Sequence, residues 1–261
     1  MLYDLYNEIS NACCIITVFL GAEKISQGTG FSFLATGEIM TAAHVVTGRY
    51  PIRQRDANDP ELKIFTKFPS YPVTEYKVGL CCITIKVPGF LEDVQIDMAI
   101  LAPMTKATEF PHIRVQTAPP KLGEEVFIAG YSDELKLPFD VDKLLDKKIT
   151  GATDFINAMN NGYMADMTGP LIKRAVVGNC RRIFAANKSA KIECDVFYVD
   201  NGMHYGASGG PVINAKGEAV GVITQRAVTS ASQEKAPGIY VPSGSTVCIG
   251  FNPLLTIAER I

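Results

Sequence analysis

The sequence predicts an all-β protein of one domain, built from two successive halves. Short runs rich in β-branched and aromatic residues recur between Gly, Pro and Asn signals along the 261 residues. A Pro-containing stretch from Pro103 to Pro120 divides these runs into an earlier and a later group. A chain that is 47% apolar can fill a sizeable core, and its length is one that all-β domains reach as a single unit.

The runs predict the positions of ten strands. In the first half they cover 12–20, 29–35, 61–67, 79–87 and 96–102, and in the second half 124–129, 195–199, 211–213, 219–225 and 238–241. The run 12–20 is too short to cross a bilayer, and it follows Asp4 and Glu8 rather than a positively charged segment. We therefore expect a buried first strand there, and neither a secretion signal nor a membrane span.

Residues 131–191 interrupt the strand pattern. Within 140–148 and 151–164, charged or polar residues alternate with Leu, Phe, Ile and Met at helical spacing, which predicts a partly helical insertion. This insertion is either a plain surface element or an element with a separate role. In the second case it would be a lid over a cleft, or a docking element for a regulatory partner or a second copy. A short helix is predicted near the C-terminus, from Pro253 to Arg260.

Charge and cysteine content exclude several classes of function. The net charge of −2 and the absence of a long basic cluster argue against a nucleic-acid partner. The odd number of cysteines predicts buried free thiols in a reducing, cytoplasmic compartment. No C-x-x-C motif occurs and the histidines are scattered, so we expect neither a metal nor another cofactor. The seven cysteines are Cys13, Cys14, Cys81, Cys82, Cys180, Cys194 and Cys248.

The segment GASGGP at 206–211 places Ser208 between glycines, where the backbone can approach a substrate closely. The same segment satisfies the G-x-S-x-G nucleophile elbow of α/β-hydrolases, so the order of the other catalytic groups must decide. All three histidines (His44, His112 and His204) precede Ser208, which excludes the α/β-hydrolase order. The subtilisin order would leave only Asp4 as an aspartate before His44. The order His, Asp, Ser remains.

Two further segments fit that order. TAAHVV at 41–46 contains His44 and follows GTGFSFL at 28–34, and QIDMAIL at 95–101 contains Asp97 in an apolar run. Together with the Ser208 segment they resemble the trypsin-like (chymotrypsin-fold) serine peptidases. In character they are closest to the disulfide-poor bacterial or high-temperature-requirement branch.

This resemblance covers about 12–130 and 192–250 and implies a fold. The fold is two six-stranded antiparallel β-barrels, the first at about 10–105 and the second at about 120–250, with the active site in the cleft between them. The first barrel would supply His44 and Asp97, and the second would supply Ser208.

The chemistry of a serine nucleophile assigns these three residues distinct tasks. His44 would take the proton of the Ser208 hydroxyl as it attacks a carbonyl, and return it to the leaving amine. Asp97 would hold the imidazole in the useful tautomer, and an isolated carboxylate in its apolar run needs a buried partner. Asp93 is the reserve carboxylate. His204 is too close in sequence to Ser208 to be the preferred base, so we expect a pocket or loop role for it, and a structural role for His112.

The resemblance also implies an oxyanion hole. The N-H groups of Gly206 and Ser208 match its two donors, and a hydroxyl at Thr224 matches one that hydrogen-bonds the catalytic aspartate. Ala207 stands where digestive trypsins have an aspartate that pairs with a new N-terminus. That activation route is therefore excluded, and the oxyanion loop must be held by other contacts or by a partner.

The specificity pocket differs from that of trypsin. Gly202 stands where trypsin has an aspartate, so a preference for Lys or Arg before the scissile bond is not expected. Arg226, with His204, would instead favour acidic or polar side chains. The full set of expected substrate-binding positions is Gly202, His204, Thr224, Gln225, Arg226 and Gly238.

We expect a serine endopeptidase that acts on proteins or peptides. One alternative is a proteolytically silent binding module that keeps these residues while the insertion blocks the cleft. The other is a chaperone-like oligomer, which is disfavoured because only about twenty residues follow the last predicted strand.

Overall fold

Two closed β-barrels make up the protein, as a computed structural model shows. The structure describes residues 2–86, 88–89, 91–105, 109–132, 148, 169–186, 191–230 and 240–258. Both barrels are six-stranded and all paired strands within them are antiparallel. The predicted fold class is confirmed.

The first barrel has the strand order β1-β2-β3-β6-β5-β4. Its strands are β1 (Cys13–Leu20), β2 (Glu23–Ser32), β3 (Ile39–Thr41), β4 (Leu62–Lys67), β5 (Thr74–Ile85) and β6 (Val94–Pro103). The six residues at the start of β1 are all buried, because one face points into the barrel and the other faces the second barrel. The first predicted strand is therefore confirmed as a buried one.

The second barrel has the order β10-β11-β12-β9-β8-β7. Its strands are β7 (Glu125–Gly130), β8 (Leu171–Ala186), β9 (Lys191–Val199), β10 (Pro211–Asn214), β11 (Ala219–Ser230) and β12 (Tyr240–Gly250). Each barrel has its own interior cluster of buried side chains. A third cluster joins them and includes Phe31 and Met98 from the first barrel and Phe127 and Phe251 from the second.

Four helices are described: α1 (Leu2–Ala12), α2 (Ala43–Thr47), α3 (Gln54–Ala57) and α4 (Asn252–Ala258). The C-terminal helix was predicted, whereas α1 was not. Leu5, Tyr6 and Ile9 fall on one face of α1 at helical spacing and pack into the inter-barrel cluster, with the Tyr6 ring 5.7 Å from that of Phe127. None of the described helices is long and apolar enough to cross a membrane.

One boundary of the predicted insertion is wrong. Residues 171–186 were assigned to it, but they form β8, which pairs with both β7 and β9. The strand pattern was hidden by Gly178, Asn179 and the neighbouring arginines, which lie on an exposed part of the strand beside a register shift. The predicted helical segments 140–148 and 151–164 lie outside the described residues, apart from Lys148.

Candidate active site

His44 lies at the start of the short helix α2, directly after β3. Ala42 and Ala43 before it are fully buried, so the helix packs closely against the first barrel. The His44 backbone N-H donates to Asp97 Oδ1 at 2.9 Å, and Nδ1 of its ring lies 2.8 Å from Asp97 Oδ2. Asp97 therefore contacts both the main chain and the imidazole of His44. A hydrogen bond from Nδ1 leaves Nε2 as the nitrogen that can accept a proton.

Asp97 extends from β6, as its isolated position in an apolar run suggested. Its side chain is buried, with 8% of its surface exposed, whereas 19% of the His44 side chain is exposed. Burial of a carboxylate is costly unless hydrogen-bond donors reach it, and His44 supplies two of them. Asp93, the reserve candidate, lies exposed at the turn before β6.

Tyr50 supplies a third donor to Asp97, and the sequence analysis did not find it. Its hydroxyl donates to Asp97 Oδ2 and lies 2.8 Å from His44 Nδ1, and its ring centroid is 4.9 Å from that of His44. Burial of the hydroxyl, followed by the charge of Asp97, raises the pKa of Tyr50 above its ordinary value. The hydroxyl therefore stays protonated and acts as a donor. An aromatic residue in the short loop directly after the histidine helix is the only sequence signal for it.

The loop that carries Tyr50 is fastened by an ion pair. Arg49 Nε donates to Asp56 Oδ2 at 2.7 Å, which joins the start of the loop to α3. The Arg49 guanidinium lowers the pKa of Asp56, so this carboxylate remains charged well into the acid range.

Ser208 lies in the connection between β9 and β10, where glycines allow the second barrel to touch the first. A Cβ on Gly209 would lie 2.1 Å from the carbonyl oxygen of Thr29 and 2.9 Å from the backbone N of Ala42. A Cβ on Gly28 would likewise meet Val45 and, at 3.1 Å, the carbonyl oxygen of Ser208. The two barrels thus bring Ser208 against the segment that bears His44.

The Ser208 hydroxyl donates to the carbonyl oxygen of Thr224 at 3.2 Å. Within the described part of the chain, no hydrogen bond joins Ser208 Oγ to His44. Catalytic hydrogen bonds are often loose or absent in a free enzyme and form when substrate binds. A rotation about χ1 of Ser208 is the movement that would release Oγ from Thr224.

Residues 204–207 form a tight turn before Ser208. The N-H of Ala207 donates to the carbonyl oxygen of His204 at 3.3 Å, and Gly206 has a φ of 87°. Gly206 is the third residue of this turn, and a positive φ at that residue alone marks a type II turn. A residue with a Cβ at position 206 would adopt this φ only with strain. Among the described residues, no acceptor takes the N-H of Gly206 or that of Ser208. Both donors are therefore available to a ligand.

The expected contact between Thr224 and Asp97 is wrong. Thr224 is buried, but its Oγ1 donates to the carbonyl oxygen of Val247 at 3.3 Å. The hydroxyl that reaches the carboxylate is the one of Tyr50, which approaches from within the first barrel. Because Thr224 already has a partner in β12, its contribution to the site is its main-chain carbonyl group.

The expected pocket positions are partly assembled. Gly202 approaches Gly244, where a Cβ would lie 3.2 Å from the carbonyl carbon, and its own carbonyl oxygen accepts from Lys173 Nζ at 2.5 Å. The Arg226 guanidinium lies 4.2 Å from the ring centroid of Tyr205, which is 63% exposed. Two cationic side chains are thus at or beside the expected pocket positions.

Of the other four candidate residues, three are described. Gln225 is exposed, His204 is half-buried in the turn before Ser208, and Gly238 lies outside the described residues. His112 Nδ1 lies 3.2 Å from the carbonyl oxygen of Phe110, remote from the other two histidines in sequence. In the described ranges, no group of three or more His, Cys, Asp or Glu side chains is placed to hold a metal ion.

Known proteins share the fold and the sequence pattern of this chain. Residues 28–222 match the family model of the trypsin-like peptidase domain. A search of curated proteins finds no match. The active form of the Rv3671c protease from M. tuberculosis superposes with a TM-score of 0.56 at 16% identity, covering 98% of this chain and 83% of that one. An inactive serine-to-alanine form of Rv3671c gives 0.52 at 15% identity, covering 98% and 89%.

These two structures show a shared fold, while the family model shows a shared sequence pattern. The match spans more than half of the chain and includes the segments of His44, Asp97 and Ser208. The chain therefore belongs to the trypsin-like peptidase family.

Proposed function

We propose that the protein is a serine endopeptidase in which His44, Asp97 and Ser208 form the catalytic triad. The observation that carries this proposal is the pair of contacts between Asp97 and His44, at 2.9 and 2.8 Å, beside the glycine-rich turn of Ser208. This arrangement fixes one tautomer of the imidazole and directs Nε2 away from the carboxylate.

The reaction would proceed through an acyl-enzyme. Ser208 Oγ attacks the carbonyl carbon of the scissile bond while its proton passes to His44 Nε2. The negative oxygen of the tetrahedral intermediate accepts hydrogen bonds from the N-H groups of Gly206 and Ser208. His44 then gives the proton to the leaving nitrogen as the C-N bond breaks. A water molecule gives a proton to His44 Nε2 as it attacks the ester carbon. His44 then returns that proton to Ser208 Oγ as the ester C-O bond breaks, which releases the acid and restores Ser208.

Each group contributes by a separate physical effect. Removal of one oxyanion-hole donor lowers kcat by about 10² to 10³ in enzymes of this type. Asp97 stabilises the imidazolium that forms in each half-reaction, and its burial makes that stabilisation stronger than in water. Tyr50 holds Asp97 in place by donating to the oxygen that faces His44.

Fluorophosphonate labelling followed by intact-mass measurement tests the proposal. We expect one adduct on the native chain at neutral pH, no adduct on Ser208→Ala, and an unchanged adduct on the control Ser243→Ala. Ser243 is exposed and donates to the carbonyl oxygen of Ala227 on the surface of the second barrel. A native chain that acquires no adduct would contradict the proposal and favour the silent binding module.

For the residue before the scissile bond, we propose a preference for acidic side chains. Two cationic side chains at or beside expected pocket positions support this proposal: Arg226 lies over the ring of Tyr205, and Lys173 donates to the carbonyl oxygen of Gly202. A charge-assisted hydrogen bond contributes about 1.5 to 3 kcal/mol, so a Glu substrate should gain at least about tenfold in kcat/KM over its Gln analogue.

Fluorogenic peptides that differ only at this residue measure the preference. Arg226→Gln and Lys173→Gln should each reduce the Glu-over-Gln ratio, whereas Arg174→Gln should leave it unchanged. Arg174 is the matched control because it follows Lys173 on the same strand but pairs with Glu125 on the surface. A native preference for large apolar residues would reject this assignment.

The state of the cysteines supports the proposal of a reducing, cytoplasmic location. All seven are free thiols, and six of them are buried. Burial raises the pKa of the Cys194 thiol to about 12, so at neutral pH it stays in the unreactive protonated form. Cell fractionation with a reporter of thiol oxidation would test this location, and cysteines recovered as disulfides would contradict it.

A further inference from the structure

Thr29 connects the first barrel to the turn that carries both oxyanion donors. It lies on β2, is fully buried, and pairs with Ile15 of β1 in the barrel wall. Its Oγ1 donates to the carbonyl oxygen of Gly206 at 2.7 Å, across 177 positions of sequence. Its backbone N-H donates to the carbonyl oxygen of Ser208 at 2.9 Å. The carbonyl groups of both donor residues are therefore held by one threonine.

The direction of the Thr29 hydroxyl proton is determined by its surroundings. The N-H of Tyr131 donates to Thr29 Oγ1 at 2.9 Å, so one lone pair of this oxygen is already used. The hydroxyl has a single proton, and the Gly206 carbonyl oxygen is the acceptor placed to take it. Thr41 Oγ1 in turn donates to the Thr29 carbonyl oxygen at 2.7 Å, which fixes the backbone of Thr29 itself.

This network occupies the place of a contact that the chain lacks. Ala207 precedes the nucleophile, so no carboxylate at that position can anchor the turn through an ion pair. Gly206 adopts a φ of 87°, and a glycine is free to leave that conformation unless its neighbours restrain it. Among the described residues of the first barrel, Thr29 restrains Gly206 by donating its hydroxyl hydrogen bond to the Gly206 carbonyl oxygen.

We propose that Thr29 is a positioning residue for the oxyanion hole, acting through the Gly206 carbonyl group in place of an anchoring ion pair. The inference rests on the proposed function, because the hole has a task only in acyl transfer. Since Thr29 belongs to the barrel that carries His44 and Asp97, the same hydroxyl sets the position of the donors relative to the proton-transfer groups.

Substitutions at Thr29 separate the hydroxyl from the shape of the side chain. Thr29→Val keeps the shape and removes the hydroxyl, while Thr29→Ser keeps the hydroxyl. Thr29→Ala also removes it and serves as the second variant if valine prevents folding. Thr66→Val is the matched control, since Thr66 is equally buried in the first barrel and its hydroxyl donates to the carbonyl oxygen of Thr74 at 3.5 Å rather than to Gly206.

Acylation by p-nitrophenyl acetate and phosphonylation by a fluorophosphonate are the two readouts. In Thr29→Val we expect the maximal acylation rate and the phosphonylation rate to fall by about 10- to 100-fold, with the half-saturation concentration changed less than about threefold. This drop is smaller than for outright loss of a donor because the N-H groups remain. Thr29→Ser should stay within about threefold of the native chain.

Three outcomes would overturn the inference. They are a Thr29→Val rate within about threefold of native, a Thr29→Ser rate as low as that of Thr29→Val, or an equal loss in Thr66→Val. The proposed function fails separately, if the native chain itself reacts with neither reagent.

Discussion

Replacing Tyr50 with phenylalanine removes one hydroxyl group from the proposed triad and leaves the aromatic ring beside His44. In the native chain that hydroxyl donates to Asp97 Oδ2. Hydrogen bonds to a charged group contribute about 1.5 to 3 kcal/mol. Because 54% of the Tyr50 residue is exposed, we take the lower limit of this range. About 1.5 kcal/mol corresponds to a roughly tenfold lower kcat.

The effect should appear in kcat rather than in KM, because Tyr50 contacts Asp97 and His44 rather than the expected pocket residues. The pKa of Tyr50 is raised above its ordinary value of 10.0, so its protonated form is stabilised in the folded protein. Its contribution is then complete below pH 10 and is lost only as pH rises through the higher, folded-state pKa. We expect native activity to show no decline due to Tyr50 up to about pH 10.

Steady-state kinetics of a fluorogenic peptide between pH 6 and 10 provide the assay. Tyr71→Phe is the control, because its hydroxyl donates to the carbonyl oxygen of Glu109, away from His44. A Tyr50→Phe enzyme with kcat within about twofold of native, or with its whole loss in KM, would refute the reasoning.

Three other predictions concern packing and thiol chemistry. Gly209→Ala should abolish fluorophosphonate labelling, because the new Cβ would lie 2.1 Å from the Thr29 carbonyl oxygen. Residue 209 also has a φ of 87°, which strains any residue with a Cβ. Labelling at the native rate would show that this close approach is wrong. Phe251→Ala should lower the free energy of unfolding by about 3 to 5 kcal/mol in a urea titration, since this ring is fully buried between the barrels, and a change below about 1 kcal/mol would contradict that placement. Iodoacetamide should modify Cys180 alone in the folded chain and all seven cysteines in denaturant, measured by intact mass, and further adducts on the folded chain would disprove the burial pattern.

Strands were predictable where burial leaves a clear pattern in the sequence. The start of β1 is buried on both faces, so it is a continuous apolar run and was recognised. The strand β8 was not, because much of its outer part is exposed and its polar residues read as a surface insertion. Cys81 and Cys82 are a related case. As sequence neighbours on a strand they should face opposite sides, yet a bulge lets both pack into the same barrel cluster, with Cys82 at a φ of 60°.

The candidate site was predictable where chemistry restricts the choice of residues. Three histidines and one order of groups led to His44, Asp97 and Ser208, and the structure places Asp97 against His44. Tyr50 and Thr29 could not be assigned in this way, because a phenol or a hydroxyl gains its role only from the atoms that the fold places beside it. The contact from Thr29 to Gly206 spans 177 positions, and no local pattern contains it.

The inter-barrel cluster affects how easily one copy of the protein could be cleaved by another. Side chains of α1 and of both barrels share this cluster, so neither barrel can separate without exposing apolar surface. A peptidase in solution meets other copies of itself, and a segment that opens locally becomes a substrate. When opening requires the whole molecule to unfold, the cleavable state has the low population of global unfolding. For the strands that contribute to this cluster, we therefore expect self-cleavage to require separation of the two barrels.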